Sequence, residues 1–239
     1  MKTIVRYLHT LSSFMSLPKG YSPMAFAIFV LSVVSMNLLA NKELFHTSWI
    51  ALDCGFALSW IPFLIMDSTC KVYGGRAAAR ISVLALAINL ITFFVFKLIA
   101  MTPGAWGEYY ATGLDTVNAS LNNTIGGSSW IVLGSAFAMF VSSVVNSVVN
   151  VSVARLLRHR PDGYGTFAVR SFTSTAIAQF VDNLVFALIV SIPLFGWNMT
   201  QALTCSITAA LFELLLEVCF SGVGYRMTKK WTRSNEGRF

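Results

Sequence analysis

The chain has 239 residues, 56% of them hydrophobic and only 11% charged, with a net charge of +7 and a mean hydropathy of +0.68. A soluble domain is about 25% charged, so a globular core under a solvated skin is excluded. The basic excess does not point to nucleic acid, because it is gathered into clusters between apolar runs.

Six apolar stretches follow one another, each close to the ~20 residues that a spanning helix needs. The first, Tyr21–Ala40, comes after a segment with Lys2, Arg6 and Lys19 and carries Asn37 near its end. Its length, and the lack of a small-residue cleavage site after it, argue against a cleaved signal peptide. The second, Trp49–Met66, is the shortest, with Asp53 near its outer end and Asp67 at its inner end. Asp67 is expected at the interface in a structural role. The third, Ile81–Met101, carries Asn89. The connection Thr102–Ser129 is rich in Gly, Asn, Thr and Ser, and is too short and polar to bury a core of its own.

The fourth stretch, Trp130–Ala154, places Ser135, Ser142, Ser143, Asn146 and Asn150 on one helix face. Two readings stand for this stripe: helix packing through small polar side chains, or the lining of a polar cavity. The fifth, Ser171–Phe195, puts Gln179 and Asp182 on one face with Asn183 beside them. The sixth, Thr200–Tyr225, carries Glu213 and Glu217 near its middle, one helical turn apart. An ionised side chain at the bilayer centre costs at least roughly 2.5–3.5 kcal/mol. Such residues face a cavity, a partner or a pathway. Two carboxylates this close in a low dielectric do not both ionise easily, which suits proton coupling or a ligand that offers N–H donors. The rival reading pairs Glu213 with Lys71, Lys97 or a neighbouring Asn.

Basic residues recur on alternate sides. Lys71, Arg76 and Arg80 follow the second stretch, Arg155, Arg158, Arg160 and Arg170 separate the fourth and fifth, and Arg226, Lys229, Lys230, Arg233 and Arg238 follow the sixth. The opposite loops carry only Lys42. The positive-inside rule then predicts six spans with both termini in the cytoplasm. Two halves of three spans would be inverted relative to each other, although no sequence repeat relates them.

Cys54, Cys70, Cys205 and Cys219 fall within or at the ends of spans, and His9, His46 and His159 are scattered. Neither a disulfide framework nor a metal or cofactor site is indicated. Asn118, Asn122 and Asn198 head glycosylation sequons that matter only in a eukaryotic secretory membrane. Hydrolase, kinase, haem and zinc-protease motifs are absent, so no catalytic residue is assigned. Trp60 and Phe180 are aromatics able to stack on a planar ligand.

The run from Asp67 to Arg80, with Asp67, Tyr73, Gly74, Ala79 and Arg80, resembles the signature after the second span of the queuosine precursor transporter family, also called the vitamin uptake transporter group. The run Arg170–Phe186 is similar to that family's fifth-span pattern at Arg170, Ser174, Gln179, Asp182 and Phe186. Asn37 followed by Lys42 resembles the end of its first span, and Ser135–Arg158 its fourth. Lys71 and Glu213 depart from the pattern: relatives often carry an acidic residue at the first position and a basic one at the second.

The resemblance implies uptake of a 7-deazaguanine precursor of queuosine (preQ0 or preQ1), or of the free base queuine, across the cytoplasmic (inner) membrane. The expectation is therefore an all-α, multi-pass bundle of six transmembrane helices, one domain over residues 1–239, that is not an enzyme. Asp182, Gln179, Glu213 and Glu217 are the leading substrate-binding candidates, with Asn146, Asn150, Asn37 and Asp53 behind them. The partners are a nucleobase-like small molecule and the lipid bilayer. A homo-oligomer is compatible with every feature above. The nearest rival is the substrate-binding subunit of an energy-coupling-factor vitamin transporter, which needs an ATPase partner. Two further rivals are a ligand-free assembly protein and an intramembrane enzyme.

Overall fold

The computed structural model describes residues 17–126, 129–158 and 163–235. Lys2, Arg6, His9, His159, Arg160 and Arg238, noted above, lie outside the described residues. The first helix, α1 (Pro23–Leu39), starts where Ser22 caps the backbone N–H of Ala25 and Pro23 occupies the first turn. A two-stranded antiparallel hairpin follows, β1 (Glu43–His46) and β2 (Ala51–Asp53). Then come α2 (Phe56–Tyr73) and α3 (Gly75–Ala100), with Gly74 at φ +83° turning the corner between them. The connection after α3 holds two short helices, α4 (Gly107–Thr112) and α5 (Asp115–Gly126). Long helices α6 (Ser129–Leu156), α7 (Tyr164–Phe186) and α9 (Met199–Asn235) complete the bundle. Between the last two, a π-turn at Ala187–Ser191 and the short α8 (Ile192–Phe195) prolong α7. Pro193 has no N–H to offer the carbonyl of Ile189, which instead accepts from Trp130 Nε1 at 2.9 Å.

The hairpin is a small addition to an otherwise helical chain, and it corrects the boundary at Trp49. Asp53 Oδ1 accepts from the Gly55 backbone N–H at 2.7 Å, a local Asx turn that holds the chain off helix until Phe56. The apolar stretch Trp49–Met66 is thus split: its first part pairs as a strand, and the helix runs on past Asp67 to Tyr73.

Four of the described helices are long and apolar enough to cross a membrane: α3, the helix ending at Leu156, α7 with its extension, and α9. Helix α1 is apolar but shorter. Helix α2 packs against α1, α3, α6, α7 and α9 at once, so it sits at the centre of the bundle. Every side chain from Phe63 to Cys70 is buried, including Asp67, Ser68 and Thr69. A helix walled on all sides by protein need not be apolar, which fits its absence from those four.

Polarity is turned inside out. Leu31 (66% exposed), Phe94 (62%) and Leu211 (63%) look outward, whereas Asn146, Gln179 and Glu217 are fully buried. That is the arrangement expected when the surrounding medium is hydrocarbon. Close approach at two glycines locks the packing. A Cβ on Gly224 of α9 would lie 2.6 Å from Leu64 Cδ1 of α2, and one on Gly134 of α6 would lie 2.2 Å from Val190 Cγ2.

Candidate functional site

The polar interior falls into two levels. One lies toward the hairpin. A small, partly open cavity there, of about 40 Å³, is lined by Asn37, Asp53, Ser59, Ser135, Asp182, Asn183 and Glu213, with Met36, Phe56 and Phe186 supplying apolar wall. That volume holds about three waters, so a two-ring ligand requires the walls to part. Three carboxylates face the cavity, and no lysine or arginine is among the described lining residues.

Each lining group is held from a different helix. Ser59 of α2 donates to Glu213 Oε1, and Asn183 Nδ2 of α7 donates to Glu213 Oε2 at 3.2 Å. Ser142 of α6 donates to Asp182 Oδ1 at 2.6 Å. Ser135 donates to Asn37 Oδ1, which leaves Asn37 Nδ2 buried without a partner among the described residues. Asp53 sits in the hairpin that roofs the cavity. Burial pushes its carboxyl up to about 6, against the opposing pull of the Gly55 N–H.

The roof is tied to α9. Asn198 and Gln201 cap each other's backbone N–H at 2.9 and 2.7 Å, a reciprocal capping box at the start of that helix. Gln201 Nε2 also donates to Thr47 O at 2.7 Å, Thr204 to Trp49 O at 2.6 Å, and Trp197 Nε1 to Glu43 Oε1 at 2.8 Å. The three sequon asparagines have structural partners: Asn118 and Asn122 accept from the backbone and the indole of Trp106, and Asn198 caps α9.

The second level lies toward the basic end and centres on Asp67. Its carboxylate accepts from Asn146 Nδ2 (2.7 Å), Asn150 Nδ2 (3.2 Å), Ser171 (2.7 Å), Ser174 (3.1 Å) and Thr175 (3.1 Å). Ser171 also contacts Glu217 Oε1. Arg170 Nη2 donates to Asn150 Oδ1 at 2.7 Å, placing a cation just behind the amide. Asp67 therefore lies inside the bundle and not at the interface expected for it. It is 1% exposed and is the most heavily bonded carboxylate described. The signal was present in the sequence, since Asp67 opens the run that carries the family likeness. A lone Asp at the end of an apolar stretch reads as a boundary, however, because sequence does not show that α2 continues past it into the centre.

Gln179 lies between the two levels. Ser142 pairs with Asp182 and Asn150 with Ser174, which fixes the antiparallel register of α6 and α7 and sets Asn146 opposite Ala178, beside Gln179. Gln179 is fully buried, and neither its Nε2 nor its Oε1 has a partner among the described residues. Asn89 is in the same condition. Of the eight candidates, Asn37, Asp53, Asp182 and Glu213 converge on the cavity. Asn146, Asn150 and Glu217 join the Asp67 cluster, and Gln179 stands between. The adjacent acids Glu213 and Glu217 thus serve different levels, and the partners of Glu213 are a serine and an asparagine. Trp60 stacks on Phe220 (4.5 Å between centroids), away from the cavity, and the aromatics at the cavity are Phe56 and Phe186.

No curated protein and no solved structure matches the chain. The model of a protein family described as "Putative vitamin uptake transporter" matches residues 53–227, which contain the hairpin's last residue, all of α2 to α7 and both polar levels apart from Asn37, and the chain belongs to that family.

Proposed function

We propose that the chain imports a 7-deazaguanine precursor of queuosine, or queuine itself, across the cytoplasmic membrane. It does so as a six-span bundle with the hairpin outside and both termini in the cytoplasm. One observation carries this reading: the cavity beneath the hairpin presents three carboxylates and two asparagine amides, with no cation in its described lining. A site of that kind needs a ligand rich in N–H groups. The pyrimidine edge of a deazaguanine offers a ring N–H and an exocyclic amine, which one carboxylate accepts together. Glu213 and Asp182 are placed for that role. Asn37 and Asn183 read the carbonyl edge, and Phe56 and Phe186 flank the ring plane. Gln179 offers a free donor and a free acceptor one turn deeper, on the way to the cytoplasm. The basic clusters at the far end of the bundle support the orientation. The likeness of residues 67–80 and 170–186 to the queuosine precursor transporters supports the choice of substrate.

The test is thermal stabilisation of detergent-purified protein by queuine, cyano- and aminomethyl-deazaguanine, guanine, biotin and riboflavin. A ligand that binds only the folded state raises its stability by about 2.7 kcal/mol at a hundredfold excess over Kd. We expect a shift with a deazaguanine that is lost in Glu213→Gln and Asp182→Asn. A shift with biotin or riboflavin alone overturns the substrate. It also favours a vitamin-capturing subunit, which copurification with a nucleotide-binding protein then checks.

A further inference from the structure

Ser171 bridges two acids. Its Oγ is 2.7 Å from Asp67 Oδ2 and in hydrogen-bond contact with Glu217 Oε1. A hydroxyl has one hydrogen, so it donates to one acid and accepts from the other. A carboxyl can donate only if it is protonated. The surroundings decide which acid holds the hydrogen. Asp67 accepts from Asn146, Asn150 and Thr175, and is in contact with Ser174, whose one hydrogen is shared with the carbonyls of Arg170 and Ser171; this is the environment of an ionised carboxylate. Glu217 is fully buried, and its Oε2 has no partner among the described residues. A bare oxygen is far less costly on a neutral acid than on a charged one. The hydrogen belongs on Glu217, which donates to Ser171, which donates to Asp67.

We propose that Asp67, Ser171 and Glu217 form a buried binding site for one coupling proton, distinct from the substrate cavity. This rests on the transport reading above. The exchange is balanced within the triad. Glu217 gives its proton to Ser171 Oγ while the Ser171 proton passes to Asp67 Oδ2. One O–H bond breaks and one forms at each step, and the charge moves from α2 to α9. A metal cation fits less well, because the hydroxyls and amides around Asp67 turn hydrogens, not lone pairs, toward the centre. Among the described residues, the titratable and charged groups around the triad are Cys70, Lys71 (over the Phe167 ring) and Asp67 itself from α2, Arg170 (through Asn150) and Tyr164 (through Ser221) from α7, and Glu213 one turn up α9. Helix α6 presents amides there. Glu213 of the cavity and Glu217 of the triad share one rigid turn of α9, so the state of one level is felt at the other.

Infrared difference spectroscopy of the purified chain between acidic and alkaline pH tests the site without any substrate. Asp53 contributes a carboxylic-acid carbonyl stretch to this difference spectrum; a further band is expected in the wild type, missing from Glu217→Gln and displaced in Ser171→Ala, which keeps both acids. Persistence of that further band in Glu217→Gln overturns the proposal. In proteoliposomes, counterflow of radiolabelled aminomethyl-deazaguanine by the wild type reports on substrate recognition alone, and its failure counts against the transport reading. Accumulation driven by an acidic exterior reports on coupling. We expect the wild type to concentrate substrate several-fold, with collapse by a protonophore, and Glu217→Gln to respond equally with and without the gradient. Accumulation that follows a sodium gradient and ignores pH overturns the proposal.

Discussion

Removing the Asp67 carboxylate is the sharpest test of how the bundle is held together. In Asp67→Ala five donors lose their common acceptor. They do not lose equally. Ser174 already contacts the backbone carbonyls of Arg170 and Ser171, Asn150 keeps Ser174, and Ser171 keeps Glu217. Asn146 Nδ2 and Thr175 Oγ1 are left with nothing. Two orphaned buried donors cost about 1–3 kcal/mol each, and three bonds to a charged acceptor fall from about 1.5–3 to about 0.5–1.5 kcal/mol each. Release of a desolvated carboxylate offsets part of this, so the expected loss is about 3–6 kcal/mol. Asp67→Asn keeps the shape and one acceptor oxygen, and the hydroxyls of Ser171 and Thr175 can turn to accept from its amide. Its loss should be less than half that of alanine. Equilibrium unfolding in mixed micelles, followed by tryptophan fluorescence, measures both. An Asp67→Ala loss below about 0.5 kcal/mol, the size of a neutral surface change, would refute the central placement of this carboxylate.

Three further outcomes follow from the same geometry. Gln179→Met replaces a buried amide that has no partner, so stability should rise by about 1–2 kcal/mol while substrate uptake falls; a less stable variant would mean the amide is satisfied in the membrane. Gly224→Ala drives a Cβ into Leu64 and should cost about 1–3 kcal/mol, recovered in part by Leu64→Ala; additive losses in the double variant would show that the two helices do not touch there. Asp53 has its folded pKa raised from 3.8 to about 6, so the fold favours its neutral form. That contribution is full below pH 4 and is lost as pH climbs through 6, so the wild type should lose thermal stability relative to Asp53→Asn across that window, and parallel melting curves would argue against a buried carboxyl.

Much of the membrane architecture was legible because it depends on composition over long windows. The helices α3, α6, α7 and α9 lie where apolar runs predict them, and the stripe from Ser135 to Asn150 does face inward. Periodicity assigns a face, but it does not say which neighbour that face meets. Asn146 and Asn150 therefore stay open between helix packing and cavity lining in the sequence, and the structure bonds them to an acid on another helix. Asp67 was misplaced for the opposite reason. A walled-in helix carries its polar residues without penalty, so its hydropathy falls and its end is set too early. The hairpin was missed because Asp53 acts through one short backbone contact, too local for any window average.

The separation of Glu213 from Glu217 shows why spacing alone misled. Four residues on a helix guarantee a shared face, and the sequence reading joined the two acids into one site. The partners decide otherwise. Helices α2 and α9 run parallel, so Glu213 meets Ser59 near the start of α2, whereas the next turn of α9 drops below it. Helix α7 runs antiparallel to α9 and spreads its own polar residues over a longer interval, from Ser171 to Asn183, so it meets the two glutamates at its two ends. A single turn of α9 therefore reaches both levels of the bundle, although Glu213 and Glu217 have no described hydrogen-bond partner in common. The ligand contact proposed at Glu213 and the proton proposed at Glu217 would thus be joined by a single turn of α9, which packs closely on α2 at Gly224, two turns past Glu217.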